Sequence, residues 1–341
     1  MELVLIPAGE FIMGEAGGCL DEQPPARVRI EKAFWMGRLE VSNEQFGCFD
    51  ALHDSGVESR FSMQFGVRGF YVNGPRQPVV RVSWEKAMAF CDWLSRKSGQ
   101  RVTLPTEAQW EYACRAGSAS PFYYGGVDAD FSKFANLADI TLREYVCNTY
   151  SKAREPWFNA SKYDDWTPKD MRFNDGGFLS DRVGGYQANA WGLHHMHGNV
   201  AEWTRSAYRP YPYRDGDGRN RSSGPEKRVA RGGSWRDRPA EARSAYRQAY
   251  EPYQPVFNVG FRVVVEATPD QETVLQTEAD GIDRCGGKNV LRLGQCLWRT
   301  TTAADSCGVW PRASNWSSSP ASLGNKARAS KRSCGLTVVE F

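Results

Sequence analysis

Arg101-Val102-Thr103-Leu104-Pro105-Thr106-Glu107-Ala108-Gln109-Trp110-Glu111-Tyr112-Ala113 contains a turn and a helix start within a few residues. Leu104-Pro105-Thr106-Glu107 reads as the turn, because proline fixes its own backbone and biases the residue before it away from helix. Thr106 with Gln109 makes a capping box, in which each side chain satisfies the other residue's backbone N–H, and Gly117 is placed to close the helix that follows. The same grammar appears upstream. Ser42-Asn43-Glu44-Gln45 is a second capping box, with Phe46, Phe49 and Leu52 on the expected apolar face. Ser83 caps a third helix, in which Ala87, Phe90, Cys91 and Leu94 follow a buried helical stripe and Gly99 ends it. Glu2 to Met13 reads as strand, turn, strand about Pro7-Ala8-Gly9, and further strands are expected at 228–230 and 259–265. Between about 118 and 230, Gly, Pro, Asn, Asp and Tyr dominate without periodicity. So long an irregular stretch in a globular unit is normally functional or stapled by an ion.

Composition narrows the function classes. The chain has 341 residues, a net charge of +3 and ordinary hydrophobic (41%) and charged (24%) fractions, so a sizeable core is available. An aromatic content of 13% predicts an interior filled by rings rather than by long regular elements. The mild charge excludes a nucleic-acid stripe, and no apolar run is long enough to span a bilayer. No signal peptide is visible, which makes the cytoplasm the default expectation. Nine cysteines at irregular spacing, without a Cys-x-x-Cys, describe neither a disulfide framework nor a zinc ribbon. Cys91 and Cys114 read as core thiols. Residues 1–265 are expected to form one domain. Residues 266–341 carry no helical or strand period and read as a poorly ordered extension.

Further phrases fall into order around the opening stretch. They are Pro7-Ala8-Gly9-Glu10-Phe11-Ile12-Met13-Gly14, Glu40-Val41-Ser42-Asn43, Pro78-Val79-Val80-Arg81-Val82-Ser83-Trp84 and Asn189-Ala190-Trp191-Gly192-Leu193. Gly198-Asn199-Val200-Ala201-Glu202-Trp203-Thr204, Arg231-Gly232-Gly233-Ser234-Trp235 and Val259-Gly260-Phe261-Arg262 complete the series. The series resembles the formylglycine-generating enzyme (sulfatase-modifying factor) family over residues 1–265. That resemblance implies an α+β, loop-rich fold of the C-type lectin-like kind, and Trp203 and Trp235 are of the size expected of core anchors.

The resemblance also implies a chemistry that this chain is not expected to perform. The family's oxidases bind copper through two cysteines just after the Arg-Gly-Gly-Ser-aromatic phrase and convert a substrate cysteine to formylglycine. Here those positions fall on Asp237 and Ala242. Soft Cu(I) wants thiolates, so copper and cysteine oxidation are not expected. A branch of the family uses non-haem iron held partly by an added helical domain with a spaced histidine motif. Iron is not excluded here, although the chain has only four histidines. Three of them, His194, His195 and His197, are close enough in sequence to be weighed as transition-metal ligands.

Structural calcium is the cofactor that the resemblance implies. One site would use Asn136 and Asp175 with the carbonyls of Leu137 and Gly177. A second would use Glu202 with the carbonyls of Gly198 and Val200, but its remaining position falls on His195, a poor calcium ligand.

Two readings of function follow. In the first, the chain is a binding module like the variable proteins of diversity-generating retroelements, which display ligand-binding residues between the Arg-Gly-Gly-Ser-Trp and Gly-Phe-Arg phrases. That window holds Arg236, Asp237, Arg238, Glu241, Tyr246, Gln248, Tyr250, Glu251, Tyr253, Gln254 and Phe257, a mixture suited to recognising a protein or small molecule. In the second, the chain is a metal-dependent oxidoreductase or a maturation factor of altered chemistry, a reading that rests on fold analogy.

Overall fold

The computed structural model describes residues 1–58, 70–142, 170–266 and 290–293, all within one unit, Met1–Arg299. The chain begins with β1 (Glu2–Ile6), turns at Pro7-Ala8 and returns as β2 (Gly9–Met13). β2 pairs with β3 (Ala26–Ile30) in a small antiparallel sheet. β4 (Phe34–Gly37) comes back beside β1, with Leu5 opposite Trp35. A short pair, β5 (Val57–Glu58) and β6 (Phe70–Tyr71), follows the first helix.

β7 (Val102–Thr103), β12 (Val264–Glu266) and β13 (Val290–Arg292) complete an antiparallel sheet in the order β13-β1-β4-β12-β7. Strand alternation explains why both its faces are apolar. Leu3, Trp35 and Val265 face one core cluster, which also takes in Phe90, Leu94 and Trp203. Ile6, Phe34, Met36 and Val264 face another, which contains Trp110, Tyr112 and Met196.

The helices begin where their caps specify. α2 is Trp84–Ser98, with the Ser83 hydroxyl accepting from the Lys86 N–H and Gly99 at φ 70° ending it. α3 is Glu107–Arg115 behind the Thr106–Gln109 capping box. It closes on Ala116 (φ 44°) together with Gly117 (φ 89°), so the left-handed stop spans two residues. α1 is only Asn43–Gly47. The face expected to reach Leu52 ends early, and Leu52 is 94% exposed. The Asp50 carboxylate accepts the Leu52 N–H at 3.1 Å, a local turn that competes with helix continuation.

A second sheet positions the candidate site. β8 (Ala201–Ala207), β9 (Arg228–Arg231), β10 (Arg247–Tyr250) and β11 (Val259–Gly260) lie in the order β10-β9-β8-β11. β8 falls inside the stretch expected to be irregular. Almost every residue in it is buried, so it lacks the polar alternation that would reveal a strand. The strand expected over 259–265 is two strands. The chain pairs with β8 at Val259–Gly260, then crosses to the first sheet at Val264. β13 lies in the segment read as a poorly ordered extension, and its Val290 to Arg292 pair with Val4 to Glu2. The remainder of that extension lies outside the described residues. Among the described residues, no helix is long and apolar enough to cross a membrane.

Between the sheets and α3 runs a set of buried ion pairs. Glu107 and Glu111 project from α3 into the interior, each fully buried. Arg247 reaches Glu107 at 2.6 Å and Arg231 bonds Glu111. Tyr208 and Tyr211 stack on Arg247 at 4.5 and 4.4 Å. Arg243 grips Glu22 through two bonds of 2.8 and 2.7 Å. Carboxylates so deep are tolerable only when matched and hydrogen-bonded in this way.

Candidate functional site

The Arg231-Gly232-Gly233-Ser234-Trp235 phrase leaves β9 and turns sharply. Gly233, at φ 67°, lets the turn close against Ala242, where any side chain would collide. This turn aims Asp237 beside Ser234, whose hydroxyl donates to the Asp237 carboxylate at 2.7 Å. Ser234 in turn accepts from Asn258 Nδ2 at 2.8 Å. Burial and the neighbouring Glu241 push the Asp237 carboxyl up to about 6.

Arg238 pairs with Glu241 at 3.5 Å, and Arg236 lies over the Phe257 ring at 5.3 Å. Tyr250 is close enough to Asp237, Arg236 and Glu241 to feel their charges, while burial raises its hydroxyl. Gln248 and Tyr250 share one face of β10, and Arg247 turns to the other. Tyr246 belongs to Arg243, which lies 5.9 Å from its ring, and Glu251 faces Lys227 at 4.0 Å. Tyr253 is 67% exposed and Gln254 is also exposed, whereas Arg238 is buried. The window is therefore a half-buried polar cluster with an exposed rim.

The two positions where the resemblance places copper-binding thiols have different surroundings. Asp237 has the polar setting just described. Ala242 is fully buried, in a cluster with Phe122, Phe131, Ala135 and Leu137. Beneath it, His197 Nδ1 donates to the Ala242 carbonyl at 2.8 Å, and Cys114 Sγ lies 3.5 Å from His197 Nε2. Burial pushes the Cys114 thiol up to about 12, so it stays protonated.

The first calcium set gathers around Asp175. Asp175 accepts the N–H groups of Leu137 (2.8 Å) and Gly177 (2.7 Å), and its own N–H bonds the fully buried Asp139 at 2.7 Å. Burial, and then Asp139, push the Asp175 carboxyl up to about 7. Two adjacent carboxylates with no basic partner among the described residues are what an oxygen-bound cation relieves. Asp175 also lines an open pocket with Asp181, Tyr186 and Lys133. Asn136 Nδ2 is spent on the Leu179 carbonyl at 2.8 Å, and the Gly177 carbonyl accepts from Thr141 at 2.8 Å.

The second set is already neutralised. Arg262 holds Glu202 through bonds of 2.7 and 2.6 Å, and the Trp110 N–H adds a third at 2.7 Å. Nearby Glu40 has one oxygen on Asn199 (2.9 Å) and the other without a partner. Burial, and then Glu202, push the Glu40 carboxyl up to about 8.

The three histidines do not converge. His194 bonds the Tyr186 carbonyl at 2.6 Å, and His197 turns to Ala242. His195 Nε2 accepts the Gly184 and Gly185 N–H groups at 2.7 and 3.2 Å, which puts its proton on Nδ1. Burial lowers both His195 and His197 to about 3, so each is neutral.

With this geometry established, relatives place the chain. The model of the sulfatase-modifying factor enzyme 1-like domain matches residues 1–267. The chain belongs to that family. It is 29% identical over 314 residues to the inactive C-alpha-formylglycine-generating enzyme 2 of Mus musculus, covering 79% of this chain and 87% of the relative. It is 28% identical over 277 residues to the serine/threonine-protein kinase pkn1 of Chlamydia pneumoniae, and that match takes in 76% of this chain but only 37% of the kinase.

Among solved structures, PvdO from Pseudomonas aeruginosa is similar at a TM-score of 0.59 and 28% identity, over 78% of this chain and 94% of that one. Variable protein 1 of Treponema denticola has a TM-score of 0.56 and 19% identity, over 78% and 95% of the two chains, a likeness of fold. The family's fold, α+β and C-type lectin-like, is the fold described above. Reading the sequence alone did not single out Ser234, Asn258, Asp139 or Glu40 as members of these clusters. They are ordinary polar residues in linear sequence, and only tertiary contact groups them.

Proposed function

We propose that this chain is a family member without cysteine oxidase activity, acting as a binding module whose recognition surface is the 235–258 segment. One observation carries the reading. The two positions that would hold copper thiolates are a hydrogen-bonded carboxyl, Asp237, and a methyl group closed into an aromatic pocket, Ala242. Neither can deliver electrons to oxygen or exchange disulfides with a substrate. What replaces them is recognition chemistry: stiff rings at Tyr250, Tyr253 and Phe257, interleaved with charged and amide groups.

Calcium, in this reading, is structural and occupies the first set, with Asp175 as the charged ligand and Asn136, Leu137 and Gly177 contributing neutral oxygens. It would neutralise the Asp139–Asp175 pair and hold the loop against β8. The second set, Gly198, Val200 and Glu202, has Arg262 as its cation.

The test is direct. The full chain, supplied with copper, oxygen and a sulfatase-type cysteine peptide, is analysed by mass spectrometry of the peptide. No formylglycine is expected, and its appearance at multiple turnovers refutes the reading.

A further inference from the structure

We infer that Asp237 anchors a basic group, an ammonium or guanidinium, on the ligand that the 235–258 surface takes. The inference rests on the binding reading above and adds the ligand's charge and contact point.

Asp237 is a half-buried carboxylate that makes no ion pair among the described residues. Its side chain is hydrogen-bonded only by Ser234, although a carboxylate can accept about four such bonds. Two cations are nearby, and the charge of Arg236 is near enough to act on the Asp237 carboxyl. Arg238 is joined to Glu241 and Arg236 lies on Phe257. Glu22, Glu107, Glu111 and Glu202, four buried carboxylates, each have a guanidinium. Asp237 does not, and it stands at the position where the family places its chemistry.

The orphaned polar atoms of the same segment have the same sign. Asn258, 3% exposed, donates to the Ser234 hydroxyl that serves Asp237, and its Oδ1 has no partner. Gln248, on the face of β10 that carries Tyr250, also has a buried side-chain oxygen without a partner. Each is an acceptor lacking a donor, and an unsatisfied buried acceptor costs about 1–3 kcal/mol. An ammonium brings three donors and a guanidinium five. The Tyr250 ring adds an aromatic surface, which attracts cations. An anionic ligand would meet Asp237 and Glu241 and repel both. A neutral apolar one would leave every acceptor unsatisfied.

The probe is agmatine, which carries a guanidinium at one end and an ammonium at the other, titrated calorimetrically into the full chain. Butyrate and butanol serve as anionic and neutral counterparts. Agmatine is expected to bind, and Asp237→Asn to weaken it at least tenfold. Asp237→Glu is expected to restore part of the affinity, with thermal melts confirming that both variants fold. Equal agmatine affinity in Asp237→Asn, or preference for butyrate or butanol, overturns the inference. So does displacement of agmatine by calcium alone at equal concentration, which would make the site an inorganic one.

A separate screen keeps the two proposals distinguishable. If a neutral or anionic ligand shifts the amide signals of residues 236–257, the binding reading survives and the basic group does not. If no ligand of any charge shifts them, the binding reading falls as well.

Discussion

Arg262 meets Glu202 in a two-pronged bond, Nε to Oε2 at 2.7 Å and Nη2 to Oε1 at 2.6 Å, with both side chains out of solvent. The pair joins the crossover between the two sheets to the strand at the centre of the second. Its third member, the Trp110 N–H on Oε2, brings in α3. One carboxylate thus ties together three elements that are distant in sequence.

Removing the cation should therefore be costly. Arg262→Met leaves Glu202 buried and uncompensated, and a loss of about 3–5 kcal/mol is expected as a lower urea midpoint. Adding Glu202→Gln, which keeps an acceptor for Trp110, should recover part of that loss. A double variant no more stable than Arg262→Met would count against the ion pair as the cause.

Gly198→Ala tests the backbone rather than the charges. Gly198 sits at φ 73°, and a Cβ there would run into the Asn136 carbonyl, where the two segments form an isolated bridge. Strain and collision together should cost ~2 kcal/mol or more. Differential scanning calorimetry at one fixed calcium concentration reads it out.

Calcium content separates the two metal sets. Dialysed protein should hold one calcium per chain by elemental analysis. Asp175→Asn should abolish it, while Glu202→Gln should leave it unchanged. Two equivalents, or one that responds to Glu202 instead, would contradict the assignment.

His197 predicts an acid sensitivity. Burial lowers it to about 3, whereas in the unfolded chain it titrates near its ordinary value of 6.5. Between those values the unfolded state binds the extra proton, so stability falls as pH falls from about 6.5 towards 3. The slope is at most about 1.4 kcal/mol per pH unit for this one group. His197→Asn should flatten the dependence by that amount in urea melts run at stepped pH, beneath whatever slope His195 and the carboxylates contribute.

How legible this was differs by element. α2 and α3 could be read to the residue at their starts because capping is local: Ser83 and Thr106 bond backbone groups three positions on. The end of α1 was hidden because Asp50 offers its neighbour an alternative hydrogen bond that periodicity does not register. β8 was invisible for the opposite reason, since a strand buried on both faces does not alternate. At the site, the loss of thiols at 237 and 242 is plain in the letters. The Asp237–Ser234–Asn258 relay is not, because its members serve different turns and meet only once β9 and β11 lie on either side of β8.

The strand at Val290–Arg292 has a practical consequence for anyone trimming this protein. The family match ends at 267, which looks like a natural place to cut. Yet β13 caps the flank of β1, with Glu2 opposite Arg292 and the Met1 amino group donating to the Leu293 carbonyl at 3.1 Å. A fragment stopped at 267 would bare a row of β1 amides and carbonyls on a flank rich in Leu, Val and Ile, a ready template for a second copy to zip onto. Such a fragment should be sticky where a chain that keeps β13 is not, and the remedy is to extend its tail through Leu293 rather than to change the buffer.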